Sequence, residues 1–330
     1  MRPSSEIISP LDGRYSQQTQ KTRKVFSNFS LSKSRLQVEI LWLIECLKAI
    51  DFELKNDEIQ KIKSIFIEFS ESNYQQLIAI ESEINHDIKA IENFAAHKLQ
   101  VMQLQKFIPF LHFGLTSEDV DTTAYALVLM EAKQDYLTTL EKFTSLLTEI
   151  TKKYAESPIL SLTHGQPATP TTFGKEMVNF LSRINYKSQQ IQNHQLQSKI
   201  ACATGNFQAL HHSFPGVDWI QVTSNLISSL QLQPNLYVTQ ILPKENWLDL
   251  LFHTNAINLI LLDFSKDMWG YIQRGVLGQI SVDTEVGSST MPHKVNPINF
   301  ENAEGNLKLA NTLLEFFSRK LPVSRLQRDL

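Results

Sequence analysis

The segment GSSTMPHKVNP, residues 287–297, sets two adjacent serines, a histidine and a lysine in a stretch with almost no apolar content. Pro292 and Pro297 keep it from being helical. Hydroxyl, imidazole and ammonium groups gathered on an irregular loop suit an anion. Lys294 and the loop N–H groups supply charge and donors for a carboxylate or phosphate. Two better-known motifs do not fit. No Gly-x-Ser-x-Gly and no β/α alternation is present, so Ser288 and Ser289 are not hydrolase-type nucleophiles. Lys294 lacks the preceding glycine and following hydroxyl of a phosphate-binding loop.

Three further clusters carry titratable groups. In THGQPATP (163–170), His164 stands among Thr163, Gln166 and Thr169. It is either a loop histidine bonded to its neighbours or a general acid or base, since imidazole titrates near neutral pH. In NHDIK (85–89), Asn85, His86, Asp87 and Lys89 lie close together in a mostly polar helical setting, which also suits a solvated helix face. In HFGLTSEDVD (112–121), His112, Thr116 and Ser117 precede a long helical pattern. Thr116 or Ser117 fits an N-cap, with Glu118 and Asp119 favoured in the first turn. The same helix start can receive an anion. The remaining histidines, His97, His194, His211, His212, His253 and His293, read as surface or structural groups.

These clusters need rigid supports, and proline and glycine positions show what those are. Between Pro10 and Pro109 there is no proline and Gly13 is the only glycine; from Pro109 to Pro158 there is only Gly114; between Gly216 and Gly270 there is no glycine. Such gaps favour long helices. Leu36, Ile40, Leu43, Leu47 and Ile50 recur at helical spacing, as do Leu140, Phe143, Leu147 and Ile150. The stretch 119–156 predicts one helix of about forty residues, far above the usual ~11–12. The only strand-like pieces lie near 235–242. The expected class is all-α, with long helices packed in a bundle. Breakers cluster at 2–13, 109–118, 157–170 and 287–297, and the organisation changes near 108–110. That suggests a helical N-terminal domain, 1–109, and a central long-helix domain, 110–330.

The chain has 330 residues, 42% of them apolar and 20% charged, with a net charge of −3. No basic field of the kind nucleic-acid binding needs is present, so an anion site must be local. Cys46 and Cys202, both in helical-looking stretches, lack metal-binding spacing and read as buried, reduced thiols. The N-terminus has no signal-peptide core, and no window reaches the ~18 apolar residues of a membrane span. A soluble cytoplasmic protein is expected, without membrane or nucleic-acid partners.

Gly287, Ser288, Met291, Lys294 and Asn296 fill every fixed place of the G-S-x-x-M-x-x-K-x-N loop of the fumarase/aspartase superfamily. Within it, SPLDGRY (9–15), NHDIKA (85–90), HFGLTSEDV (112–120), THGQPATPTTFGKEM (163–177), VDWIQ (217–221) and FENAEGN (300–306) resemble the adenylosuccinate lyase branch. The resemblance runs from about residue 7 to the chain's end. VDTTAYAL (120–127) departs from it, since the branch often has asparagines there. The resemblance implies a three-domain subunit in a homotetramer whose long helices form a common bundle. Each active site would draw on three subunits, act on small-molecule nucleotides and use no metal or cofactor. The chain stops at VSRLQRDL, where the branch continues into a third helical domain. Another fumarate-releasing lyase, such as one acting on argininosuccinate, or a non-catalytic structural homologue, are the alternative expectations.

The implied reaction is β-elimination of fumarate from adenylosuccinate to give AMP, and from the succinylated carboxamide ribotide SAICAR to give AICAR. By position in the motifs, Ser288 is the general base, His164 the general acid, and Glu301 the group that orients His164. Lys294 and Asn296 hold the carboxylate on which charge develops, and Val295 is a further substrate contact. Asn85, His86 and Asp87 position substrate near the reacting carbon. Arg14, Tyr15 and Arg328 bind the nucleotide phosphate, and Thr116 and Ser117 a succinyl carboxylate. Gln240, Ser289 and Asn302 complete the contacts.

Overall fold

The computed structural model describes residues 7–280, 291 and 294–328. In chain order its elements are α1 (Gln20–Phe26), α2 (Asn28–Ala49), α3 (Asn56–Ile67), α4 (Glu71–Ile84), α5 (Asp87–Val101), α6 (Ser117–Lys153), β1 (Pro158–Thr163), β2 (Gln166–Thr172), α7 (Phe173–Asn193), β3 (Gln197–Ser198), α8 (Gln208–Ser213), α9 (Trp219–Ser229), β4 (Gln233–Pro234), α10 (Glu245–Gln273) and α11 (Ile298–Lys320). The segment 105–110, where the sequence suggests a boundary, is a 3-10 helix between α5 and α6. The helical class holds, and α6, at 37 residues, is the long helix that the missing prolines and glycines require.

The backbone forms two compact units: residues up to Gln134 with Gln195–Pro243 and the chain from Ser324, and Asp135–His194 with Lys244–Val323. In the first, Leu36, Ile40, Leu43 and Leu47 of α2 are fully buried. They meet Ile62 of α3, Leu77 of α4, Ile91 and Phe94 of α5, and Phe107. Each such side chain contributes roughly 1.5–3 kcal/mol by leaving water. Capping fixes where the helices start. The Ser27 hydroxyl accepts from the Ser30 N–H at 3.2 Å. Ahead of α3, the Lys55 N–H donates to Glu58 Oε2 at 2.9 Å.

In the second unit, Phe264 of α10 meets Phe143 of α6, Phe180 of α7 and Phe300 of α11, all edge-on. This geometry places the positive ring edge on a neighbour's π face. Leu140 and Leu147 are buried as the periodicity predicts, whereas Ile150 is 38% exposed.

Three sequence-based expectations need correction. The cluster at 157–170 is an antiparallel hairpin, β1–β2, with Thr163 opposite Gln166. Its two-residue loop is His164–Gly165, with φ of 52° and 72°. Two successive positive φ values make a type I′ turn, whose twist matches paired strands and whose second place suits glycine. Pro167 and Pro170 are tolerated because both strands of a two-stranded ribbon are edges. Residues 235–242 hold no strand; the short parallel pairing lies just before them, between β3 and β4. Cys202 lies in a turn with φ of 64° rather than in a helix, although both thiols are buried as expected. Burial pushes Cys46 up to about 12 and Cys202 up to about 11.

Candidate active site

In the first unit, Asn85 to Asp87 are not on a helix face. They form the junction between two helices. Asn85 ends α4 in the left-handed conformation, φ 53°, which asparagine tolerates better than most residues. His86 is the N-cap of α5, its Nδ1 accepting from the Lys89 N–H at 3.3 Å. Asp87 pairs with Arg35 at 2.9 Å, and Arg35 reaches on to Asp121 at 2.7 Å. The exposed faces of Asn85, His86 and Asp87, with Ile78, Glu81 and Ser82, line an open depression of ≈ 640 Å³. Arg35, which sequence reasoning passed over, locks this junction to α6.

Ser117 begins α6 and Thr116 directly precedes it, in the N-cap position that the sequence suggests. The Thr116 N–H donates to Asp119 Oδ2 at 3.0 Å. Ahead of them, His112 (φ 53°) pairs with the fully buried Glu39 at 2.5 Å. The Trp42 indole donates to Phe113 O at 2.9 Å. Burial pulls the His112 imidazole down, but the hydrogen bond and charge of Glu39 more than offset it and leave its pKa raised. Burial also raises Glu39, against its pairing with His112.

Asp119 is fully buried beside an equally buried Lys199 at 2.7 Å. Its Oδ1 also accepts from the Ala201 N–H at 3.0 Å. Burial pushes its carboxyl above the usual carboxylate range, against the pull of Lys199 and the two amide donors. Glu39, Asp119 and Lys199 were missed as a group because their partners lie tens of residues away. The one available signal was a lone charge inside an apolar run, as in VEILWLI (38–44) and SKIACA (198–203).

Gln240 and Arg328 lie on two segments that the structure joins: Thr239 Oγ1 donates to Gln327 O. The Arg328 guanidinium donates to Leu326 O at 3.1 Å. Arg14 and Tyr15 sit in irregular turns, with the guanidinium 5.8 Å from the Tyr15 ring centre. Tyr15 N–H closes the turn onto Pro10 O at 2.9 Å.

In the second unit, His164 is exposed at the hairpin tip. The Arg274 guanidinium steadies β1 by donating to Leu160 O at 3.1 Å. Lys294, Val295 and Asn296 lead into α11. Val295 O accepts from Gln279 Nε2 at 2.8 Å, and the Lys294 N–H donates to Met291 O at 3.0 Å. Glu301, in the first turn of α11, accepts from the Trp269 indole at 3.2 Å. Asn302 accepts from Asn306 at 3.0 Å. Ser288 and Ser289 lie outside the described residues. Among the described residues no group of His, Cys, Asp or Glu could hold a metal ion, and no helix is long and apolar enough to cross a membrane.

A family model described as lyase matches residues 13–311. The adenylosuccinate lyase of Buchnera aphidicola subsp. Schizaphis graminum is 42% identical over 99% of this chain and 73% of its own length. That of Legionella pneumophila strain Corby is 43% identical over 98% of this chain and 72% of its own length. Among solved structures, a fumarate lyase from Mesorhizobium sp. BNC1 superposes with a TM-score of 0.75 at 16% identity, covering 94% of this chain and 67% of that one; this similarity concerns the fold alone. Identity of this level over nearly the whole chain spans the 112–121, 163–170 and 287–297 clusters together, and on that ground the chain belongs to the adenylosuccinate lyase family.

Proposed function

We infer that this chain is a carbon–nitrogen lyase that eliminates fumarate from adenylosuccinate, leaving AMP, and from SAICAR, leaving AICAR. The observation that carries this reading is the whole-chain similarity to adenylosuccinate lyases, with every fixed residue of the 287–296 loop in place.

The reaction breaks a C–H and a C–N bond and forms a C=C bond. Ser288 takes the proton from the carbon beside a carboxylate. An isolated serine hydroxyl is too weak a base for this, so the positive field of Lys294 and the loop amides must stabilise its anion. Lys294 and Asn296 hold the carboxylate on which charge builds, with Val295 as a neighbouring substrate contact. His164 returns a proton to the leaving nitrogen, and Glu301 orients it. Asn85, His86 and Asp87 line the substrate near the reacting centre. Arg14, Tyr15 and Arg328 take the phosphate, Thr116 and Ser117 a succinyl carboxylate, and Gln240, Ser289 and Asn302 further polar groups. No metal or cofactor takes part, since the leaving group is already on the substrate.

His164 is exposed and Glu301 is engaged by Trp269, so a pairing of the two calls for residues of more than one subunit. The long helices support the same idea. Leu146, Phe252, Leu259, Leu309, Leu313 and Phe316 are each at least half exposed. A homotetramer would cover them in a shared bundle of the 110–330 domain, with 1–109 as a flanking helical domain. A cytoplasmic location accords with a nucleotide substrate.

The test is loss of adenylosuccinate followed by ultraviolet absorbance, with Ser288→Ala and His164→Ala as controls and argininosuccinate as competitor substrate. Turnover abolished in both variants is the expected result. Turnover of argininosuccinate instead, or turnover indifferent to both substitutions, would overturn the reading.

A further inference from the structure

We propose that the buried Asp119–Lys199 pair is a positioning device that fixes the substrate-contacting start of α6 relative to the segment carrying Gln240. The role assigned to those contacts rests on the lyase reading above.

Asp119 stands at the third position of α6, where a carboxylate commonly reaches back to the N-cap amide. Such a cap is ordinarily a surface feature and needs no lysine. Here one carboxylate oxygen takes the Thr116 N–H, while the other takes the Ala201 N–H and faces Lys199 Nζ. Both side chains of the pair are fully buried. Removing two charges from water costs more than their attraction returns unless further hydrogen bonds complete the arrangement, so stability alone is a poor reason for the pair. What it supplies is geometry, because two backbone amides from distant parts of the chain converge on one carboxylate.

One turn further along α6, Thr123 Oγ1 and Ser198 Oγ lie 2.8 Å apart. The first turns of α6 are thus tied to 198–201 at two successive levels. Beyond Ala201 the chain turns at Cys202 and reaches Gly205, with φ of 79°. A Cβ there would lie 2.3 Å from Val238 O and 2.6 Å from Thr239 O, so only glycine lets the two backbones touch. Gln240 is the next residue after Thr239. A continuous run of close contacts therefore links Ser117, through Asp119, Ala201 and Gly205, to Gln240.

The experiment uses the full chain with Asp119→Asn and Lys199→Met together, so that no unpaired charge is buried. Contacts to non-reacting parts of a substrate act in ground and transition states alike, so their misplacement raises KM more than it lowers kcat. A folded double variant should show KM for adenylosuccinate raised about tenfold with kcat within about threefold. In a Ser117→Ala background the same change should add less than about threefold, because both act through one contact. An unchanged KM, or effects that multiply independently, overturns the proposal and leaves a structural pair. If the double variant does not fold, Thr123→Val removes the second tie alone. A KM rise of about threefold that is lost in the Ser117→Ala background supports the proposal, and no change overturns it. If neither the unaltered chain nor a version extended to the length of its relatives turns over adenylosuccinate, the lyase reading fails separately. Hydrogen exchange then decides: lost protection confined to the Thr116 and Ala201 amides supports positioning, and unchanged protection overturns it.

Discussion

The two units hold their functional side chains in opposite ways. In the first, the residues around Thr116, Ser117 and Asp87 are tied into the interior. Arg35 bridges Asp87 and Asp121, Glu39 holds His112, and Lys199 faces Asp119. In the second, His164 tops a hairpin in solvent, and Lys294 is exposed ahead of α11. Polar groups that must recognise a substrate need fixed positions, and a buried network supplies them. A proton donor needs access to the bond it breaks. With the roles proposed above, the first unit would carry a prebuilt binding surface and the second would present its reactive groups outward, in keeping with the proposed sharing of sites between subunits.

The largest effect that would test this contrast is at His164. His164→Ala should lower kcat by about 10²–10⁴ while the thermal midpoint stays put, because an exposed side chain adds little to stability. Stopped-assay kinetics and a melt on the same sample check it. A large drop in the midpoint would mean that the hairpin tip is structural, and the contrast would break.

Glu39 should behave in the opposite sense. Removing it by Glu39→Ala strips a buried partner from His112, and breaking such a pair costs about 3–5 kcal/mol. Urea unfolding should show a lower midpoint with an unchanged slope. A midpoint within experimental scatter of the unaltered protein would show that the buried network is no anchor.

These contrasts were unequally legible from sequence. The long α6 was plain, because Pro, Gly and strand signals are all absent over its span and a capping pattern opens it. The hairpin was not: THGQPATP holds so many residues that break helices that it reads as a loop, and only the HG pair, in the place where Asn-Gly usually stands, marks a type I′ turn. The α4–α5 junction was hidden because the helix ends on Asn85 rather than on glycine. Asp119 read correctly as a first-turn acid, yet its second partner is 80 residues away, and no local pattern reports a pairing of that range. The residues proposed to carry the chemistry were named by type and resemblance; the groups that pack against them emerged only from geometry.

The hairpin offers a finer test. Gly165→Ala forces a Cβ into φ of 72°, a strain of about 1–2 kcal/mol confined to the turn. The expected result is a kcat lowered about tenfold by misplacement of His164, with the global midpoint nearly unchanged. Gly165→Asn should retain most activity, since asparagine accepts this conformation. Equal losses for both would show that the turn's backbone is not what places His164.

The smallest effect comes from a control in the first unit, away from the substrate-contacting groups. Glu58 accepts from the Lys55 N–H ahead of α3 and pairs with Lys106 at 2.7 Å. The Lys106 hydrogen bond foremost, then the Lys55 amide, hold its pKa below the ordinary 4.5. A carboxyl whose folded pKa is depressed adds stability that is fully present above its unfolded value. That stability is lost as pH falls through the folded value. Glu58→Gln keeps an acceptor for the amide but removes the charge, so it should destabilise by roughly 0.5–1 kcal/mol at pH 7. The difference should shrink as pH falls below the ordinary 4.5 and close only once pH has passed below the depressed folded value. Urea midpoints followed stepwise downward from pH 7 measure it. KM for adenylosuccinate should not move at all, which separates a polar tie that only stabilises the first unit from the Asp119–Lys199 tie that also places its binding groups. A gap that does not narrow at all as pH falls would trace the loss to shape rather than charge, and a shifted KM would extend the positioning network as far as α3.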